Sequence, residues 1–186
     1  MIEKFEGRYR IGSARLSKWD YGWNASYFIT ICTEEKLPHF GEIYNQKFTP
    51  SEMGRIASEC WSEMPYRYPF VQLDEFVVMP NHVHGIVRIK HVDIKPNNIH
   101  QCADAKLPGG ITGQHNPMLN ENLSRVIRWY KGRITYECRK INPEFAWQER
   151  FYEHIIRNDD AHRKIKTYIV NNPSNWEEDK FYNIDV

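Results

Sequence analysis

Two histidines separated by one residue, His82-Val83-His84, are where residue type and spacing first suggest chemistry. Side chains alternate along a strand, so both imidazoles project from one face while Val83 points to the other. Such a pair makes half of a divalent-metal site. It serves as well as two partly buried structural histidines satisfied by backbone hydrogen bonds. Further on, Tyr168 and Asn172 lie four residues apart, one turn apart on a helix face. A phenol is a nucleophile once it loses its proton, and an amide oxygen can complete a metal's shell. These residues together suggest a metal that polarises a phosphate oxygen while a tyrosine attacks phosphorus, attaching the protein to one strand end. A free phenol titrates near 10, so activation is needed. Eleven tyrosines compete for the role, and Tyr168 alone reads equally as a core or surface aromatic.

The elements that would position these residues can be read from pattern. Asn24 to Thr33 is rich in β-branched and aromatic residues and predicts a strand. Leu37 to Lys47 reads as a loop or hairpin around Gly41. Thr49-Pro-Ser-Glu52 looks like a helix start, with the helix running through Ile56, Cys60 and Trp61 and stopping before Pro65. Leu73 to Met79 predicts a second strand and His82 to Ile89 a third, joined by a turn at Pro80-Asn81. Residues 91–117 are polar and turn-rich, and read as a mobile surface loop. A basic amphipathic helix follows from about Asn122 to Lys140, then a fourth strand from Phe151 to Arg157. Asn158 or Asp159 caps a last helix, on which Ile165, Tyr168, Ile169 and Asn172 share one side before Pro173 ends it. From Trp176 the tail is acidic and reads as less ordered. The order β-α-β-β-α-β-α describes one domain over 1–186, a ferredoxin-like α+β sandwich: an antiparallel sheet of about four strands, helices on one face, and an added C-terminal helix.

With 186 residues the chain is long enough for one real core, and no apolar run reaches the length of a membrane span. The N-terminus lacks the apolar stretch of a signal peptide, so the chain reads as cytoplasmic. Cys32, Cys60, Cys102 and Cys138 form no C-x-x-C pair and fit neither a zinc finger nor a secreted disulfide framework. Basic and acidic residues balance at 25 against 24, which hides two basic stretches. Met1 to Trp19 holds five basic and two acidic residues, and Asn122 to Lys140 six and one. Each is a phosphate-binding face or a solvated one.

Three separated segments carry a resemblance. Phe76-Val-Val-Met-Pro-Asn-His-Val-His-Gly-Ile-Val87 resembles the His-hydrophobic-His motif of the single-tyrosine HUH transposases. Trp147 to Asn158, followed by Tyr168-Ile-Val-Asn-Asn-Pro173, is similar to their REP-associated tyrosine transposase branch, and Arg15 to Tyr21 with Tyr27 to Thr33 fits it too. The resemblance runs from about Arg8 to Trp176, apart from residues 91–117. It implies a ferredoxin-like fold and a nicking and joining activity on single-stranded DNA, often near hairpins. It makes His82 and His84 the metal pair, Asn172 a third ligand, Tyr168 the nucleophile, and Mg²⁺ or Mn²⁺ the ion.

His154, on the fourth strand, is set aside as structural or DNA-contacting. Tyr130 and Tyr136 are rejected as rival nucleophiles because Ile134 and Lys140, four residues on, bear no side-chain oxygen. For DNA contact, Arg125, Arg128, Lys131 and Arg133 surround Trp129, joining basic side chains to an aromatic face that can stack on bases. Arg8, Arg10, Arg15 and Lys18 would reach a second stretch of strand. The expected partner is single-stranded or hairpin DNA, with no membrane. A monomer is favoured slightly over a homodimer. The competing readings are a catalytically silent hairpin-binding relative, a different HUH enzyme, and a small metal hydrolase that would not depend on Tyr168.

Overall fold

The structure is a computed structural model and describes residues 19–91 and 121–182, together with the backbone of two short paired strands, β1 (Lys4–Phe5) and β2 (Arg8–Tyr9). Of the expected loop at 91–117, all but His91 lies outside the described residues.

Strand β3 (Ala25–Cys32) alternates as its sequence predicts. Tyr27, Ile29 and Ile31 are buried in the core, while Phe28, Thr30 and Cys32 point to the opposite face. A hairpin follows, β4 (Gly41–Tyr44) with β5 (Lys47–Pro50). Its turn is at Asn45-Gln46, both with positive φ, rather than around Gly41. Helix α1 (Glu52–Arg67) starts where expected: the Ser51 side chain accepts from the Gly54 amide at 3.1 Å.

α1 does not stop before Pro65. The proline sits in the last turn, where its missing N–H costs a single ladder bond. Buried Met64 and Tyr68 hold that turn, and the Tyr68 amide still donates to Met64 at 2.8 Å. Pro69, one residue past the cap, marks the true end.

β6 (Val71–Met79) and β7 (His82–Ile89) form a hairpin, helix α2 (Leu123–Cys138) is capped by Asn122, and β8 (Tyr152–Ile156) returns to the sheet. Helix α3 (Asp159–Asn171) is capped by Asn158. The sheet order is β6-β7-β3-β8, every neighbouring pair antiparallel. Two interleaved β-α-β halves, β3-α1-β6 and β7-α2-β8, give the ferredoxin-like α+β sandwich.

α1 and α2 pack on one face. Tyr130 donates from its hydroxyl to the Ala57 carbonyl at 3.1 Å and meets Trp61 edge-on at 5.2 Å. Trp61 lies so close over β7 that a Cβ at Gly85 would come within 2.2 Å of its ring, which explains a glycine inside a buried strand. α3 crosses the other face. Ile169 is its one fully buried residue among the described residues. At a bulge between Leu73 and Phe76 it is held by polar contacts: His162 Nε2 lies 2.8 Å from Asp74, and the Lys166 ammonium reaches Asp74 at 3.1 Å and Glu75 at 2.9 Å. Among the described residues, no helix is long and apolar enough to cross a membrane.

Candidate active site

Period-two alternation sends Val83 into the α1–α2 core and lifts His82 and His84 onto the α3 face, with ring centroids 4.4 Å apart. Both are sealed from water, at 0% and 1% exposure. Each has an orienting partner on Nδ1. Asn81 Oδ1 lies 2.8 Å from His82 Nδ1, and Thr30, directly across the β3–β7 ladder, places its hydroxyl 2.8 Å from His84 Nδ1. An amide oxygen only accepts, so His82 carries its proton on Nδ1 and leaves Nε2 as a lone pair.

α3 brings Tyr168 and Asn172 over the pair. The Tyr168 hydroxyl is 3.1 Å from His84 Nε2 and donates to Asp179 Oδ2 at 3.1 Å. With its own hydrogen directed at Asp179, the phenol oxygen accepts from His84 Nε2–H, and Thr30 donates to Nδ1. The Thr30 hydroxyl can reverse its role, so it supports either tautomer of His84. Asn172 donates Nδ2 to Asp179 Oδ2 at 2.9 Å, which turns its Oδ1 inward. Asn172 Oδ1 and His82 Nε2 are both buried with no hydrogen-bond partner among the described residues.

Electrostatics match this arrangement. Burial first, and the neighbouring His84 second, hold His82 well below 6.5, with the nearby Asn172 amide opposing them. Burial lowers His84 to about 4 against the pull of the Asp179 carboxylate. Both rings are thus neutral, the form that binds a metal. Burial and then the Asp179 carboxylate raise Tyr168 to about 12, so the phenol holds its proton while Asp179 is beside it. Ligand atoms of His82, His84 and Asp179 all lie within 4.8 Å of one another.

The structure therefore brings together the four residues singled out by spacing, and adds three that spacing did not reveal. Asn81 and Thr30 sit one residue before the motif and across the ladder from it. Asp179 belongs to the segment read as a loose tail, whose described residues, 176–182, instead pack on the site. Pro173–Glu178 is a 3-10 helix, and beyond it Phe181 lies 4.6 Å from His82 and 5.8 Å from His84 by ring centroid. Asn81 Nδ2 donates to the Phe181 carbonyl at 2.8 Å. The signal available was the aromatic content of the tail, Trp176, Phe181 and Tyr182, which a solvated acidic segment lacks.

The basic helix is elsewhere. α2 occupies the face opposite the histidines, and several of its candidate DNA contacts have partners within the chain. Trp129 packs edge-on against Tyr68 at 6.0 Å, and the Arg125 guanidinium lies 5.8 Å over the same ring. Lys131 donates to the Gln148 and Arg150 carbonyls at 2.8 and 2.9 Å, and Arg133 pairs with Glu137 at 3.2 Å. Arg128 is exposed. The side chains of Arg8, Arg10, Arg15 and Lys18 lie outside the described residues. Of the rival tyrosines, Tyr130 is buried in the core and Tyr136 is exposed with the Lys140 ammonium 4.3 Å from its ring. His154 is exposed on β8.

No family model matches the chain. An uncharacterized protein of Haemophilus influenzae is 38% identical over 172 residues, covering 91% of this chain and 92% of that one. The chain belongs to the family of that protein. A solved structure of a REP-associated tyrosine transposase bound to a REP hairpin aligns with 91% of this chain and 77% of its own, at a TM-score of 0.57 and 19% identity. The sandwich described above is thus the fold of that transposase.

Proposed function

We propose that this protein is a metal-dependent endonuclease and strand transferase acting on single-stranded DNA through Tyr168. The observation that carries the reading is the placement of the Tyr168 hydroxyl 3.1 Å from His84 Nε2, beside two buried orphan atoms, His82 Nε2 and Asn172 Oδ1. Orphan polar atoms are rare in a packed interior. A lone pair on His82 Nε2 and one on the Asn172 amide oxygen, beside the neutral His84 ring, are donors a divalent cation takes, so the residues present fit such an ion. His82, His84 and Asn172 would hold it, with Asp179 within reach as a further oxygen ligand. Mg²⁺ or Mn²⁺, when bound there, supplies Lewis-acid stabilisation of the negative charge on a phosphate.

The chain's own residues do the rest. Asp179 accepts the phenol's hydrogen bond and is the proton acceptor at hand. The phenol oxygen attacks phosphorus, the bond to the 3′-oxygen breaks, and the 5′-phosphate stays on Tyr168 until a 3′-hydroxyl reverses the step. Phe181 packs against both histidines, so a phosphate would approach from the other side, through the cavity lined by His84, Tyr168, Asn172 and Tyr152. DNA carrying hairpin repeats, as in the fold relative bound to a REP hairpin, is the proposed substrate.

The test is a denaturing gel after incubation with Mn²⁺ and labelled hairpin-bearing single strands from repeats flanking the gene. A slow-migrating adduct should form with the wild type and be lost in Tyr168→Phe and in His82→Ala. An adduct that survives Tyr168→Phe would move the nucleophile elsewhere. Tight binding with no adduct under either metal would mean a catalytically silent DNA-binding protein.

A further inference from the structure

We propose that Tyr152, with Phe28 behind it, forms a stacking subsite for an unpaired nucleobase next to the scissile phosphate. This rests on the nuclease reading for the position of that phosphate, while the platform itself stands on geometry. In the β3–β8 ladder Tyr152 is opposite Thr30 and His154 opposite Phe28. Alternation therefore puts Tyr152 on the face that carries His84, not the core face. β8 is the outer strand of the sheet, so among the described residues no further strand covers this side of the site.

The rings form a continuous row leading outward from the histidines. The Phe28 centroid lies 5.2 Å from His84, 6.0 Å from Tyr168 and 6.4 Å from Tyr152. Phe28 is half-buried, whereas Tyr152 is 56% exposed, a large aromatic left uncovered beside the candidate nucleophile. A cavity of about 480 Å³ opens between them, reaching from Tyr168 and Asn172 to Tyr152. That volume is within the range of small-ligand sites. The Lys180 ammonium lies 5.9 Å from the Tyr152 ring centroid and 4.8 Å from that of Phe181, on the lining of the same cavity.

A flat aromatic face, a cation beside it and an open approach are what an unpaired nucleotide needs. The base stacks on the ring and its phosphate meets the ammonium. An exposed aromatic on the sheet face that carries His84 would then hold the flanking nucleotide and set the strand's direction across the site. Sequence-tolerant stacking of this kind accepts any base, so hydrogen-bonded base reading would lie elsewhere.

The experiment measures binding of a single-stranded oligodeoxynucleotide from the flanking repeats, with an abasic residue scanned through it. All proteins carry Tyr168→Phe so that the strand stays intact, and thermal unfolding checks that the exposed substitutions leave the fold unchanged. Tyr152→Ala should weaken binding about 5- to 100-fold and Tyr152→Phe by less than about twofold. At one position the abasic residue should weaken the tyrosine-bearing protein as much as the alanine substitution does, and leave the alanine variant unaffected. Binding by Tyr152→Ala within about twofold, equal abasic penalties in both proteins, or no binding by the parent would each overturn the platform. The adduct assay, run with Tyr168 restored, separates the two ideas. Adducts with wild-type affinity in Tyr152→Ala would remove the platform alone, and a confirmed platform without any adduct would remove the nuclease alone.

Discussion

Acid should act on this protein through its histidine pair. Unfolded, an imidazole titrates at 6.5, while folded His84 titrates at about 4 and His82 well below 6.5. Between those limits the unfolded chain takes up protons that the native state refuses. Stability is therefore fully present above pH 6.5 and is lost as pH falls toward the folded values. Each unit in the window is worth about 1.4 kcal/mol per histidine. His84 alone, almost wholly buried, then accounts for about 3 kcal/mol by pH 4, a large part of the usual margin of a domain. The assay is urea unfolding with a chelator present, at intervals from pH 7.5 to pH 4, on wild type and on His84→Gln, which cannot titrate at that position. The wild-type curve should drop more steeply below pH 6.5, with the gap closing by about 3 kcal/mol at pH 4. Parallel curves would refute the reasoning, because they would mean that His84 takes its proton as readily in the folded protein as in the unfolded chain.

Two further outcomes follow from named contacts. Replacing Asp179 by Asn removes the carboxylate that helps raise Tyr168 to about 12, so the phenol should titrate lower yet stay above 10, since burial is the larger cause. Labelled-tyrosine NMR against pH reads this directly, and an unmoved titration would remove Asp179 from the phenol's surroundings. Gly85→Ala forces a methyl into the buried Trp61 ring and should destabilise by about 1–3 kcal/mol in urea unfolding; a neutral result would mean that the indole can shift aside.

What could be read from the linear chain was whatever depends on short periods. His82 and His84 share a face because strands repeat every two residues, and Tyr168 with Asn172 because helices repeat every 3.6. The caps at Ser51 and Asn158 were legible for the same local reason. Pro65 misled because its cost depends on position: near a helix end it forfeits one bond, and burial of Met64 and Tyr68 outweighs that. Asp179 and Phe181 could not be read, since nothing local to an acidic tail says that its aromatic residues will cover a histidine pair on a strand nearly a hundred residues away. The basic stripe on α2 was visible as charge, but no periodicity could say that α2 lies across the sheet from the histidines, with Lys131 and Arg133 engaged inside the chain.

The attachment of α3 has a consequence for how the site responds to its surroundings. The histidines stand on an interior strand of a sheet backed by an apolar core, which dissolved ions scarcely affect. The helix that bears Tyr168 is fastened differently, by one buried isoleucine, by the His162 and Lys166 contacts to Asp74 and Glu75, and by the polar knot at Asp179. Partly exposed charge pairs weaken as ionic strength rises, over a screening length of about 8–10 Å in ordinary buffers. Added salt should thus loosen Tyr168 from the histidine pair while leaving the melting of the sandwich almost unchanged. Ionic strength becomes a dial on the spacing between Tyr168 and the histidines, separate from the stability of the fold.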